Sequence, residues 1–404
     1  MTELSLYPYQ EEGRDFLATR KRAYLSDEMG LGKTVQALTA AKKIRAGNVL
    51  VISPASAVEN WIRERNKWYP GGTFTYMSYA KALRSRDSLG TPGLVILDEA
   101  HYCKTPSAKR TRAALGVASK ADRAWLLSGT PMPNDPTELW AMFKYLWPER
   151  PAALDITTAE QWMHKFCKVR ATEWGPKPYA VKNGAILKGM LEDIMMRRTL
   201  DQVGLDLPPL RVTLSYLPKD ADLARGLQEY SEYEDGDPEQ VYTSTLRRLL
   251  GKAKAPRIAK QVAEELTDGA YKAIVLLYYH REVGALLRET LEEAGHTCVG
   301  FDGSTPQTMR QRAIDAFQSG GAPVFLAQMT SAGVAITLTR ASELVLVEPE
   351  WSPDDNRQAI KRIHRIGQDH PCRARIFAVQ GTLDASVMWT VARKVQMQQE
   401  VGLG

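Results

Sequence analysis

Six short runs of uninterrupted apolar residues constrain this chain most: NVLVIS (48–53), GLVILD (93–98), RAWLLS (123–128), AIVLLYY (273–279), PVFLAQ (323–328) and ELVLVE (343–348). A strand with one wet face alternates apolar and polar residues, whereas continuous hydrophobicity implies a strand covered on both faces, as in parallel α/β sheets. The runs fall into two series with helical patterns between them, and a chain of 404 residues exceeds the usual size of a single core. The reading is therefore an α/β protein of two lobes, each with a parallel sheet. Between the series, residues 150–270 read as mostly helical and charged, broken by DLPPLRV (206–212). Its adjacent prolines exclude helix and suit an extended linker. This predicts a helical insertion between the lobes and a hinge near 205–214.

The four cysteines, Cys103, Cys167, Cys298 and Cys372, form no CxxC pair, which argues against a zinc ribbon, an iron–sulfur site or a disulfide framework. The opening MTELSLYPYQ lacks a basic segment followed by an apolar run, and no stretch approaches the roughly 20 apolar residues that span a bilayer. The expectation is a soluble protein of a reducing compartment with no membrane partner, cytoplasmic and nucleoid-associated if its source is prokaryotic or viral. Lys plus Arg total 53 against 47 for Asp plus Glu, a formal charge of +6. That excess permits a polyanionic partner without demanding one, so the distribution of charge matters more than its sum.

DEMGLGKT (27–34) follows the short strand-like RAYLS and opens an amphipathic helical pattern, TVQALTAAKKI. Glycines at Gly30 and Gly32 let backbone approach phosphates closely, and a helix N-terminus supplies oriented N–H groups. Lys33 is placed to reach β- and γ-phosphates and Thr34 to ligate Mg²⁺. The nucleotide-binding set read from this loop is Asp27, Glu28, Met29, Gly30, Leu31, Gly32, Lys33 and Thr34. A strict Walker pattern has glycine where Asp27 stands, a position that helicase-type loops relax.

GLVILDEAH (93–101) ends an apolar strand in two carboxylates, and ligands of open α/β sheets sit at the carboxyl ends of strands. Asp98 reads as the Mg²⁺ ligand, and Glu99 as the group that orients and deprotonates the attacking water. LLSGTP (126–131) places Ser128 and Thr130 at another strand end, where small hydroxyl residues serve equally well as caps.

QAIKRIHRIGQ (358–368), read as a helix at about 100° per residue, sets Gln358, Lys361, Arg362 and Arg365 on one arc and Ala359, Ile360, Ile363 and Ile366 on another. Two guanidiniums on the polar arc meet the γ-phosphate at Lys33 if the lobes close on one another. Planar guanidinium neutralises transition-state charge, an effect worth about 10³–10⁵ in phosphoryl transfer.

LYPYQEEG (6–13), DEMGLGKT, SPAS with Trp61 downstream, LDEAH, LSGTPMPND, MMRRTLDQVGLDLPP, GFDGST and QAIKRIHRIGQ together resemble the Swi/Snf-type ATPases of the two-lobed helicase superfamily. They follow the family's order over nearly the whole chain. The resemblance implies two RecA-like lobes, an ATP-binding lobe over 1–205 and, over 206–404, a helical insertion or linker with the helicase C-terminal lobe. It implies Gln10 as the adenine contact, ATP and Mg²⁺ as cofactors, and double-stranded or forked DNA as partner. The implied activity is DNA-stimulated ATP hydrolysis that drives translocation along the duplex, generally without strand separation. The segment TSAGVAITLT (330–339) keeps Gly333, assigned to the nucleotide side, but has Ala335 and Thr337 where the family usually carries glycine and asparagine.

Candidate DNA-backbone contacts are Ser53, Tyr79, Thr130, Asn134 and Ser304, strand-end and loop residues whose hydroxyls or amides hold phosphate without reading bases. Two other functions fit less well: a strand-separating DNA or RNA helicase, and a nucleotide-gated DNA-binding adaptor of a larger complex. Against the adaptor stands the intact Glu99.

Overall fold

The computed structural model describes residues 5–85, 90–173, 175–204, 207–218, 220–235, 242–329, 336–401 and 403, the side chains of Asp222 and Gln307 excepted. It divides into two units, Met1–Leu205 with Arg393–Gly404, and Asp206–Ala392. Residues 393–404 thus belong with the first unit, not with a lobe running from 206 to 404. Among the described residues no helix is long and apolar enough to cross a membrane.

The first unit has the parallel strands β1 (Arg22–Leu25), β2 (Val49–Ser53), β3 (Phe74–Ser78), β4 (Leu94–Asp98) and β5 (Arg123–Leu127), of which β2, β4 and β5 are the apolar runs. An antiparallel hairpin of β6 (Cys167–Arg170) and β7 (Lys177–Val181) stands apart, and β8 (Met195–Met196) completes the sheet, whose order is β3-β2-β4-β5-β1-β8. Every described residue of β2 is buried, as two-sided cover requires. One face packs Tyr24, Ile52, Leu97 and Leu126 against the helices Lys109–Lys120 and Trp140–Leu146. Met397, Val401 and Leu403 from the chain's last turn join the same cluster.

The second unit repeats the plan with β9 (Leu210–Tyr216), β10 (Ile274–Tyr278), β11 (Cys298–Phe301), β12 (Val324–Gln328), β13 (Glu343–Leu346) and β14 (Cys372–Ala378), ordered β11-β12-β10-β13-β14-β9. Alternate residues of β10 enter two separate clusters, Ile274 and Leu276 on one face, Val275 and Leu277 on the other. The two-lobe α/β expectation holds. The stretch 150–270, expected to be mostly helical, is so only in part: Ala221–Gly226, Gln228–Glu234 and Thr243–Thr267 cover one face of the second sheet, whereas β6, β7, β8 and β9 interrupt the stretch and its residues up to 205 belong to the first unit.

The linker and hinge expected near 205–214 need correction. Leu210–Tyr216 is the edge strand β9, paired in parallel with β14 from Leu210↔Cys372 to Tyr216↔Ala378. The adjacent prolines exclude helix but sit just before the strand, where a missing N–H costs no ladder bond. Pro209 even contributes its carbonyl, which accepts from Cys372 N at 2.8 Å.

Candidate nucleotide site

The loop after β1 turns through two left-handed glycines, Gly30 at φ 92° and Gly32 at φ 74°, conformations that cost glycine little and other residues much. Helix Lys33–Lys43 starts directly after Gly32 with no side-chain cap, so its first N–H groups face the loop mouth. Gly32 is constrained twice, because a Cβ there would lie 2.6 Å from Gln10 Nε2. Gln10 is buried. Its Nε2 donates to Leu31 O at 3.3 Å, and its Oε1 accepts from Tyr7 N at 3.1 Å, which fixes the amide against the loop.

Lys33 Nζ donates to Asp27 O at 2.7 Å and to Glu28 O at 3.3 Å, folded back on the loop's own carbonyls. Burial pushes its pKa down, against the carboxylates of Glu99, Asp27 and Asp98, which hold it up. The Asp27 side chain points away from the loop mouth: it is 0% exposed and bound to Arg198 and Gln36. Glu28 Oε2 accepts from Leu200 N at 2.8 Å, Leu31 is buried, and Met29 packs at Gly129. What these residues offer a phosphate is therefore backbone. Among side chains, Lys33 and Thr34 are the half-buried polar groups that open the helix.

Asp98 ends β4 with both oxygens held: Trp61 Nε1 donates to Oδ2 at 2.7 Å and Glu99 N to Oδ1 at 3.0 Å. Burial, then the adjacent Glu99 carboxylate, push its pKa up to about 6, while the Trp61 N–H and Lys33 pull it down. Glu99 has φ 49°, a conformation that L side chains seldom adopt and that functional sites often retain. Crowded carboxylates beside a phosphate loop fit a divalent cation, which would relieve their repulsion; Asp98 and Thr34 would hold it.

Ser128 and Thr130 serve neither as helix caps nor as surface groups. Both are buried and converge on His101 Nδ1, at 2.9 and 3.0 Å, and His101 Nδ1 also lies 3.3 Å from Glu99 Oε2. The ring thus links the ends of β4 and β5.

The helix expected over QAIKRIHRIGQ holds only at its start, over 358–360. Helix Pro353–Ile360 stops before Lys361, and residues 361–368 form turns. The core arc holds at Ala359, Ile360 and Ile363, which are buried, but Ile366 is 43% exposed, and Arg362 of the polar arc is only 8% exposed. Gln368 holds the turns in place, its Nε2 lying 3.1, 2.9 and 3.0 Å from the carbonyls of Thr339, Ala341 and Ile363. Arg365 Nη1 donates to Ile336 O at 3.3 Å, and His364 Nε2 donates to Pro208 O at 2.8 Å. Gly333 lies outside the described residues.

Three of the expected DNA contacts face inward. Ser53, Tyr79 and Thr130 are buried; Ser53 Oγ donates to Pro54 O at 3.1 Å and Tyr79 OH to Asp98 O at 2.8 Å. A hydroxyl at a strand end looks the same in sequence whether it faces solvent or braces the neighbouring strand. Asn134 is half-buried and donates to Glu138, and Ser304 is exposed, its Oγ donating to Asp302 Oδ1 at 2.7 Å.

Sequence reasoning missed Arg197 and Arg198 as site residues. Arg197 Nη1 donates to Ser26 O at 3.1 Å and Gly129 O at 3.2 Å. The short strand β8, paired with β1, delivers both arginines to the phosphate loop. Their signal was the RR that follows MM in MMRRTLDQ, but no local spacing connects it to a loop so distant in sequence.

Residues 9–92 and 73–223 match the SNF2-related domain family, and residues 256–367 match the helicase conserved C-terminal domain. The chain is similar to the mouse (Mus musculus) DNA annealing helicase and endonuclease ZRANB3, 29% identical over 97% of this chain and 40% of that protein. It is also similar to the Caenorhabditis elegans homologue of SWI/SNF-related matrix-associated actin-dependent regulator of chromatin subfamily A-like protein 1, 28% identical over 98% of this chain and 62% of that protein. The chain thus spans only about 40 to 62% of the length of these relatives. A solved Sulfolobus solfataricus SWI2/SNF2 ATPase core in complex with dsDNA aligns with 99% of this chain and 93% of its own, at TM-score 0.47 and 23% identity. With the match to the first domain covering residues 9 to 223 of 404, this chain belongs to the SNF2-related family.

Proposed function

We propose that this chain is an ATPase stimulated by DNA, using hydrolysis to translocate along double-stranded or forked DNA without separating the strands. The observation that carries this reading is the meeting of a glycine loop, Lys33 and the Asp98–Glu99 pair at one edge of the first sheet in an SNF2-related chain. Gln10 and the backbone of 28–32 hold the nucleotide. Lys33 leaves the loop carbonyls for the β- and γ-phosphates, and Glu99, fixed beside His101, orients and deprotonates the attacking water. Asp98 and Thr34 would hold Mg²⁺, which when bound would supply charge neutralisation at the phosphates. Arg362 and Arg365 add the cationic groups that the transition state requires.

The test is steady-state ATP hydrolysis with duplex, forked and single-stranded DNA and with RNA. Stimulation by duplex or fork is expected, and no stimulation by any polynucleotide overturns the reading. Triplex displacement without strand displacement separates a translocase from an unwinding helicase.

A further inference from the structure

The β6–β7 hairpin carries a feature that the nucleotide site does not use. Between positions 165 and 188 the chain has Lys165, Lys168, Arg170, Lys177, Lys182 and Lys188 against one acidic residue, Glu173. The ladder pairs Cys167 with Val181, Lys168 with Ala180, Val169 with Pro178 and Arg170 with Lys177, with a shift in register between Lys168 and Val169. Alternate residues of a strand face opposite sides. The cross-strand pair Cys167 and Val181 is buried, Lys168 and Arg170 stand exposed on the opposite face of β6, and Lys177, brought opposite Arg170 by the register shift, is exposed with them, as is Tyr179.

Arg170 and Lys177 are direct cross-strand neighbours, an arrangement that destabilises a sheet when the charges are alike. Among the described residues neither they nor Lys168 makes an ion pair. The ribbon is nonetheless firmly rooted. Lys182 N donates to Phe166 O at 2.8 Å, Asn183 Nδ2 donates to Lys165 O at 2.8 Å, and the preceding helix Ala159–Phe166 is pinned by Trp162 Nε1 donating to Pro136 O at 2.8 Å. A rigid ribbon keeps its repulsive cations in register, where a flexible loop would spread them.

We infer that this face of the β6–β7 hairpin is a second docking surface for the phosphate backbone of duplex DNA, separate from the nucleotide site. Residues i and i+2 of a strand lie about 6.8 Å apart, so Lys168 and Arg170 present a row of charge, which suits a ligand whose own charge is a row. Contacts of these cations to phosphate oxygens position the duplex and carry no sequence information. The inference rests on the DNA-dependent reading above.

The test compares the full chain with Lys168→Ala/Arg170→Ala/Lys177→Ala and with Lys177→Glu alone. The single change sets opposite charges across the ribbon, so it preserves or raises the melting temperature while cancelling positive charge on this face. Binding of a blunt duplex is measured against salt, alongside DNA-free ATP turnover and binding of poly-L-glutamate. Expected are unchanged DNA-free turnover, weaker duplex binding by both variants, and for the triple variant a log–log salt slope smaller by about 2 to 3, at about 0.9 per lost phosphate contact. If wild-type protein fails to bind any duplex, the functional reading falls first. Should wild-type bind and both variants keep its affinity and slope, the hairpin inference alone is overturned. Loss of poly-L-glutamate binding with an unchanged duplex slope overturns it in favour of an acidic protein partner.

Discussion

Arg198 grips Asp27 through two hydrogen bonds, Nε to Oδ1 at 3.0 Å and Nη2 to Oδ2 at 2.6 Å, across 171 positions of sequence. The departure from a Walker glycine at this position has its reason here: the side chain is a tie between the loop and the segment after β8. Gln36 completes the tie, donating Nε2 to Asp27 Oδ2 at 3.1 Å and accepting from Arg198 Nη2 at 3.0 Å. Arg198→Ala leaves a buried carboxylate without its counter-ion and should cost the first unit about 3–5 kcal/mol. Arg198→Lys should not rescue it, because an ammonium cannot span both oxygens. Denaturant unfolding checks this, and an unshifted midpoint for Arg198→Ala would contradict it.

Trp61→Phe keeps the ring buried but removes the N–H that holds Asp98 Oδ2. Groups that orient a metal-holding carboxylate are typically worth about 10–100-fold in metal affinity or activity. The expected outcome is a loss of ATP turnover in that range, with a rise in the Mg²⁺ concentration needed for half-maximal rate. A variant with wild-type turnover and Mg²⁺ dependence would show that Asp98 needs no such support.

Arg362→Ala should lower turnover by about 10³ or more while leaving nucleotide affinity nearly unchanged, since a finger acts mainly in the transition state. Gln368→Leu should give a milder version of the same pattern. It strips the amide from the carbonyls of Thr339, Ala341 and Ile363, at about 1–3 kcal/mol for buried polar groups left unpaired, and loosens the turns that carry both arginines. Equal losses of binding and turnover would refute the assignment.

Glu265 makes two 2.7 Å hydrogen bonds with Arg375. Burial alone would raise its pKa, but the bonds from Arg375, Gln261 and Tyr271 outweigh it and bring the value from 4.5 down to about 2. A carboxylate with a depressed folded-state pKa stabilises fully above its unfolded value and loses that contribution as the pH falls through the folded one. Stability of the second unit should therefore drop between about pH 4.5 and 2. Glu265→Gln should be less stable at neutral pH and flatter across this window, as equilibrium unfolding at a series of pH values would reveal.

Continuous hydrophobicity in runs such as NVLVIS and AIVLLYY sufficed to identify two parallel sheets, because two-sided burial leaves no room for alternation. The glycine loop and the LDEAH strand end were equally legible, since their chemistry depends on residues close in sequence. Three features escaped for a common reason. The Arg198–Asp27 pair, the pairing of β9 with β14 and the convergence of Ser128 and Thr130 on His101 all join segments far apart along the chain. The helix over 358–368 misled differently: its apolar spacing is helical, but Gly367 requires φ 96° and the backbone is claimed by carbonyl partners outside any helix.

Met397, Val401 and Leu403 fill the first unit's interior although the whole second unit precedes them in the chain. During synthesis on the ribosome, residues 206–392 emerge as one uninterrupted block and can close as soon as they are clear of the exit tunnel. The amino-terminal portion, translated earlier, has to wait with an unfinished interior until the stretch after 392 arrives. Completion of the nascent protein thus runs out of order, the unit begun first being the one finished last.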